Sequence, residues 1–351
     1  MNDLQNILIV RTDRIGDVVL TTPAIKALRQ AYPSTRISIL VAPLTKDLVT
    51  GNPYLDEIIV DDRRGDHRGI FGFWRLASVL REKKFDIAIV YHTKKRTNCL
   101  CWTAGIPRRT GYKNEKFGFL LNDPVPDQRH LGQQHEAQYC LDVLRHQGIP
   151  ANNILDRLPQ DLAEDLYVPI SADAWAWIEK FCREHHISAT ERLVAIHPGA
   201  SDPAKRWPEG QFAELIDGLA ARHPAKIILV GSPQLAVVAQ AIMALTRVPV
   251  LDLTGKTNVG ELAGLIKRCN LLVSNDSGPV HIAAGVGTPC VSIFTRDQPG
   301  INPQRWQPLG KKSKVVSVPL QKSPSQDGLE SSEAVPTHAV LEAVDALFKL
   351  C

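Results

Sequence analysis

The sequence predicts two doubly wound α/β domains in one chain, on three observations. Short aliphatic runs, beginning with Ile7-Leu8-Ile9-Val10, alternate with stretches whose apolar residues recur at helical spacing. The alternation lapses between Gln147 and Pro169, where Gly148, Pro150, Pro159 and Pro169 fall and the linker between the domains is expected, and then resumes. The 351 residues exceed one ordinary core and suit two of about 150 to 180 residues each. Strands alternating with helices give a parallel sheet covered on both faces.

The first strand, Ile7 to Val10, runs into the turn Arg11 to Gly16, and a helix from Asp17 to Ala31 buries Val18, Val19, Ala24, Ile25 and Leu28. Strands follow at Ile37 to Val41, Ile58 to Val60 and Ile87 to Val90. The second series has strands at Leu193 to Ile196, Ile227 to Val230, Val248 to Leu251, Leu271 to Val273 and Cys290 to Phe294. Helices at Gln211 to Arg222 and Gln234 to Leu245 separate the first three, and Val259 to Lys267 reads as another. Residues 321–335 are Ser- and Glu-rich and read as a mobile loop, and Thr337 to Lys349 as a closing amphipathic helix. The expected domains are 1–165 and 166–351, with the helix at 337–349 free to return to the first domain. In such sheets ligands bind beyond the carboxyl ends of the strands.

Composition sets the class. Hydrophobic residues at 44% and charged residues at 22% are those of a globular protein. No apolar run approaches the roughly 20 residues of a membrane span, and the N-terminus lacks the pattern of a signal peptide, so a cytoplasmic protein is expected. Seven cysteines without a Cys-x-x-Cys pair argue against a zinc site or a disulfide framework. The net charge of +4 is unevenly spread: residues 61–117 hold 14 Lys and Arg against 6 Asp and Glu. That zone is either a solvated surface or the seat of an anionic partner. Nucleic acid is disfavoured as that partner, because the basic segment lacks regular aromatic interleaving.

Four motifs follow strands. Asp276-Ser277-Gly278-Pro279-Val280-His281 is a polar turn opening a helix, whose free amides and dipole suit a nucleotide diphosphate; a packed His281 is the alternative. Arg11-Thr12-Asp13-Arg14-Ile15-Gly16-Asp17 lacks the Gly-x-Gly-x-x-Gly of a dinucleotide cradle, which disfavours a dehydrogenase. Asp17 there either complements the helix dipole or serves as a general base. His197-Pro198-Gly199-Ala200-Ser201 with Lys205-Arg206-Trp207-Pro208 offers a close backbone approach, a hydroxyl and a phosphate-seeking cation; it is equally a helix start anchored by Trp207. Thr254-Gly255-Lys256-Thr257 lines a nucleoside pocket or is a plain turn.

Together these segments resemble the lipopolysaccharide heptosyltransferases, glycosyltransferase family 9. Arg11 to Ala24 looks like the family's opening signature, and His197-Pro-Gly-Ala, Lys205-Arg-Trp-Pro, Leu253-Thr-Gly-Lys-Thr and Asp276-Ser-Gly-Pro-Val-His-Ile-Ala-Ala look like its later series. The resemblance implies a GT-B fold, two Rossmann-like domains facing across a cleft, with the acceptor on the first and the nucleotide sugar on the second. It implies inverting transfer of heptose from ADP-heptose to a lipopolysaccharide core, with no metal and no cofactor. Asp17 falls at the base position and Lys205 where a lysine meets the diphosphate. Asp276, Ser277, Gly278 and His281 match the donor run, Thr257 lies beside the expected adenine, and Ser201 joins the donor set. In one departure, family members often carry an acidic residue after the strand ending at Val230, where this chain has Gly231-Ser232-Pro233-Gln234-Leu235.

The basic zone then suits an anionic, lipid-linked core oligosaccharide, with Arg14, Arg63, Lys94, Arg96 and Arg109 as acceptor contacts and Arg64, Lys95 and Arg108 beside them. It also suits peripheral contact with the cytoplasmic face of the inner membrane. The competing functions are transfer from another nucleotide sugar, nucleotide-sugar 2-epimerisation, and non-catalytic nucleotide or glycan binding.

Overall fold

The computed structural model describes residues 4–318 and 335–349. The chain divides into two compact units, Met1–Pro169 and Ile170–Cys351.

The first unit begins β1 (Asn6–Arg11), α1 (Ile15–Ala31), β2 (Arg36–Val41), β3 (Glu57–Val60), α2 (Gly69–Glu82), β4 (Ile87–Val90) and α3 (Lys95–Thr103). It continues with β5 (Arg108–Tyr112), β6 (Asp123–Val125), α4 (Glu136–His146) and a single turn, α5 (Asn152–Leu155). Its strands pair in the order β3-β2-β1-β4-β5-β6, all in parallel. Side chains alternate across a strand. Leu8, Val10, Ala88 and Val90 therefore meet Leu76 and Leu80 of α2 and Leu100 of α3 on one face. Ile7 and Ile9, also fully buried, point to the other, where right-handed crossovers require α1. Pro23 inside α1 has no N–H to give the Val19 carbonyl, and the Thr22 hydroxyl supplies that hydrogen bond at 2.7 Å.

The second unit opens with α6 (Ala172–Glu184), then runs β7 (Leu193–His197), α7 (Glu209–Arg222), β8 (Lys226–Leu229), α8 (Ala236–Leu245), β9 (Val250–Asp252), α9 (Val259–Arg268) and β10 (Leu271–Asn275). It closes with α10 (Gly278–Val286), β11 (Cys290–Phe294), α11 (Pro303–Trp306), β12 (Ser313–Ser317) and α12 (Thr337–Phe348). The parallel order β12-β11-β10-β7-β8-β9 repeats the topology of the first sheet. Trp207 and Phe212 meet edge to face at 4.9 Å in the core, a pair worth about 1 kcal/mol beyond the area it buries.

Three expectations change. Strands β5, β6 and β12 were not anticipated. The stretch 147–169 is no loose linker: Lys26 of α1 binds Asp165 at 2.7 Å, and the Thr22 hydroxyl accepts from the Tyr167 amide at 3.1 Å. The final helix is part of its own unit, since Val340, Leu341, Val344 and Leu347 pack into the core beside Phe212 and Ile216. The segment read as a mobile loop lies outside the described residues apart from Val335, whose carbonyl takes the Trp207 indole N–H at 2.7 Å.

Candidate functional site

Each unit carries a cluster of polar groups at the carboxyl ends of its strands, and each is described by itself.

In the first unit β1 ends at Arg11, whose side chain is 1% exposed. Its guanidinium serves three carboxylates: Asp17 at 2.9 Å, Glu136 at 3.0 Å and Asp13 at 3.3 Å. Three carboxylates share this guanidinium in a poorly hydrated place. Burial raises the Asp17 carboxyl most, Asp13 and Glu136 add to it, and Arg11 opposes; the outcome is about 7. A carboxyl raised this far suits proton acceptance near neutral pH. Asp17 stands in the first turn of α1, yet its carboxylate is spent on Arg11 and not on capping the helix. Beside it, His92 lies 2.9 Å from the Thr12 hydroxyl, and burial lowers its imidazole to about 4, so it is neutral at pH 7.

The predicted acceptor residues divide. Arg63 and Arg96 converge on Asp61 just beyond β3, at 3.0 Å and 2.7 Å. Burial acts to raise the Asp61 carboxyl, but hydrogen bonds from Arg96 and Arg63 hold it below the usual carboxylate range. Arg63 also reaches the Thr12 hydroxyl at 3.2 Å, which ties this pair to the Asp17 turn. Lys94 and Arg14 stand exposed at the positions just before α3 and α1, with no side-chain hydrogen bond to the helix amides. Arg109 does not join them. It lies at the amino end of β5, and its guanidinium donates to the carbonyls of Leu120 and Ile106. The expectation failed because β5 was not recognised, which put Arg109 at the wrong edge of the sheet.

In the second unit β7 ends at His197 and β10 at Asn275, side by side. The His197 ring nitrogen Nδ1 lies 3.2 Å from the hydroxyls of both Ser274 and Ser277. Burial lowers this imidazole to about 4, so it too is neutral. Asn275 fixes the neighbouring loop, accepting from the Trp207 amide at 3.0 Å and donating to the Pro198 carbonyl at 2.8 Å. That places Lys205 Nζ 2.6 Å from Asp276. Burial raises the Asp276 carboxyl while Lys205 pulls it down, and burial prevails. Ser277 is the N-cap of α10, so Gly278 begins the helix with its amide end toward this cluster. The Thr254–Thr257 turn follows β9. Asn258 and Glu261 then form a reciprocal cap on α9, both bonds at 2.8 Å, with Thr257 immediately before it. Ser201 is exposed on the loop after β7, and His281 is 2% exposed inside α10. His281 is thus buried one turn into the helix that Ser277 opens.

The family model described as glycosyltransferase family 9 (heptosyltransferase) matches residues 73–335. The chain belongs to glycosyltransferase family 9. A family 9 glycosyl transferase from Veillonella parvula superposes with a TM-score of 0.86 at 26% identity, covering 100% of this chain and 99% of that one. Lipopolysaccharide heptosyltransferase 2 of Escherichia coli K12 is 27% identical over 97% of this chain and 98% of its own length. The structure of E. coli ADP-heptose lps heptosyltransferase II shares the fold at a TM-score of 0.75, with 99% of both chains covered and 24% identity. The paired Rossmann-like units are thus of the GT-B type, and the protein is a glycosyltransferase.

In this transferase, sequence reasoning passed over Glu136, Asp13, His92 and Asp61. Glu136 opens α4, and its bond to Arg11 spans 125 positions, a contact that no local pattern signals. Gly199 can be tested directly. A Cβ there would stand 2.3 Å from Leu235 Cδ1 and about 3 Å from the His197 ring. Gly199→Ala is expected to cost about 1–3 kcal/mol in urea denaturation, with Leu235 and His197 displaced; an unchanged midpoint would show that the loop has room to spare.

Proposed function

We propose that this transferase moves a heptose from ADP-heptose to an anionic, lipid-linked lipopolysaccharide core in a single inverting displacement. Asp17 accepts the proton of the acceptor hydroxyl. The hydroxyl oxygen forms a bond to the anomeric carbon as the bond from that carbon to the diphosphate oxygen breaks, and ADP leaves carrying the negative charge. Lys205 and the amides opening α10 receive that charge in the second unit, so the reading needs no metal ion. Asp276 keeps Lys205 in place until the diphosphate competes for it. Arg63, Arg96, Lys94 and Arg14 attract the acceptor's phosphate or carboxylate groups. A lipid-linked acceptor places the enzyme on the cytoplasmic face of the inner membrane, in peripheral contact with it.

The carrying observation is Asp17, a carboxyl just after β1 that burial, with Asp13 and Glu136 beside it, raises to about 7 against the pull of Arg11. The names of relatives support the donor, since one is an ADP-heptose transferase and another is heptosyltransferase WaaC with ADP. A second reading, transfer from a different nucleotide sugar, is favoured by Gln234, which stands exposed after β8 where an acidic residue was expected. Thermal-shift screening separates the two. A donor at about 100 times its Kd adds about 2.7 kcal/mol to stability. ADP-heptose is expected to stabilise the protein and UDP-, GDP- and dTDP-sugars are not; the reverse order would replace the proposed donor.

A further inference from the structure

Seven aromatic side chains are exposed among the described residues, and five of them crowd onto α2, α3 and the turn after β5. Phe71 is 86% exposed, Phe119 79%, Trp102 57% and Trp74 51%, with Ile70 at 63% beside them. A globular monomer rarely leaves so much large apolar surface in one region without a use.

The arrangement follows from helix geometry. The core side of α2 is Gly72, Leu76, Ala77 and Leu80, and Ile70, Phe71 and Trp74 fall on the opposite side. α3 covers the same sheet face as α2, and its outward residues include Lys95 and Trp102. Asn98 of α3 donates to the Lys116 and Phe117 carbonyls, which seats the next turn against that helix. Lys95 Nζ lies 5.4 Å from the Phe117 ring centroid, and Phe117 meets Phe119 edge to face at 5.6 Å. The three apolar segments are therefore neighbours on one face.

Charge complements them. Arg64, Arg68, Arg75, Lys94, Lys95 and Lys116 are exposed around this face. Two of the six acidic residues in the same stretch are spent internally, Asp61 on Arg63 and Arg96, and Asp86 on the amides of Gln5 and Asn6. Aromatic and aliphatic side chains ringed by Lys and Arg are the chemistry of a helix lying in the headgroup layer of an anionic bilayer. No helix among the described residues is long and apolar enough to cross a membrane, so contact of this kind stays at the surface.

We propose that the outward side of α2 and α3 is a membrane-docking surface, which places Ile70, Phe71, Trp74 and Phe119 in the headgroup boundary of an anionic bilayer. Its purpose rests on the lipid-linked acceptor proposed above. Because α2 follows β3, its first turn sits on the same edge of the sheet as Asp61 and Arg63. A lipid-linked sugar rising from the bilayer would meet the acceptor half-site without leaving the surface.

The test is flotation of the full chain with vesicles of phosphatidylglycerol and phosphatidylcholine, against phosphatidylcholine alone. Wild-type protein is expected to float only with the anionic vesicles, and raised salt is expected to release it. The double variant Phe71→Ser with Trp74→Ser is expected to bind about ten- to a hundredfold more weakly, with unchanged melting. Val237→Ser on α8, an exposed apolar position of the second unit, is expected to bind as the parent does. Indifference to phosphatidylglycerol, or full binding by the double variant, overturns the proposal. So does sedimentation showing a parent dimer that the double variant dissociates, since the face would then join two copies of the chain. Transfer to an acceptor stripped of acyl chains is expected to be equal in parent and variant. Failure of the parent to transfer at all would strike the proposed reaction and leave the vesicle result to decide docking.

Discussion

Asp17→Asn is expected to lower turnover by about two to four orders of magnitude, the range lost with a general base, while leaving donor affinity unchanged. The amide keeps the shape of the carboxylate and still accepts from Arg11, so the first turn of α1 is retained. Stability makes the test selective. A carboxyl raised from 3.8 unfolded to about 7 folded binds its proton more tightly in the native state. Its contribution is complete below about pH 4 and is lost as pH rises toward 7, because the unfolded chain binds fewer protons there. Above pH 7 the parent carries an ionised Asp17 at a cost, and Asp17→Asn removes it. The variant should therefore melt at or above the parent temperature at pH 8 while being nearly inactive. The parent's turnover should rise with pH along an acid limb centred near 7, and Glu136→Gln, with one neighbouring anion removed, should move that limb to lower pH. Near-normal turnover in Asp17→Asn would return the residue to the dipole-complementing role that its place in α1 also allows.

The legible parts of this protein are those whose physics is local. Central strands such as Ile87–Val90 and Leu271–Asn275 are buried on both faces, so Ile87–Val90 and the first three residues of the second, Leu271–Val273, read as unbroken apolar runs. β5, Arg108-Arg109-Thr110-Gly111-Tyr112, has no such run, because Arg108 and Arg109 are spent on polar contacts at its start. β6 contains Pro124, which only an edge strand tolerates, and β12 is the other sheet's edge. The supposed linker was invisible for a related reason: its 3₁₀ segment Pro159–Asp165 carries no 3.6-residue period, yet Leu162 and Asp165 are buried. At the site, a carboxylate and a lysine following strands could be picked out by position. What tunes Asp17 could not, because Glu136 arrives from 125 positions along the chain, on a helix packed against α1 that had not been read.

Lys205→Ala is expected to lower kcat by about two to three orders of magnitude, the usual cost of removing one preorganised group that meets charge developing on a leaving oxygen. The competing account is structural, since Lys205 is the partner of Asp276 at 2.6 Å. Breaking a fully buried pair costs about 3–5 kcal/mol. Lys205 retains 17% exposure and Asp276 8%, so about 1–3 kcal/mol is expected here, and Asp276 would take up a proton in part compensation. The two accounts separate in the double variant Lys205→Ala with Asp276→Asn. Replacing the stranded carboxylate with a neutral amide should restore most of the lost stability, because nothing charged is left without its counterion. It should not restore turnover or ADP affinity, because the diphosphate still lacks its cation. Lys205→Arg should retain stability and recover only part of the rate, since a planar guanidinium offers its donors in a fork where the loop after β7 holds a compact ammonium. Denaturant midpoints, calorimetric ADP affinity and single-turnover rates on the same three variants give the answer. If the double variant recovers turnover along with stability, Lys205 serves Asp276 alone, and the leaving group must find its charge elsewhere on the second unit.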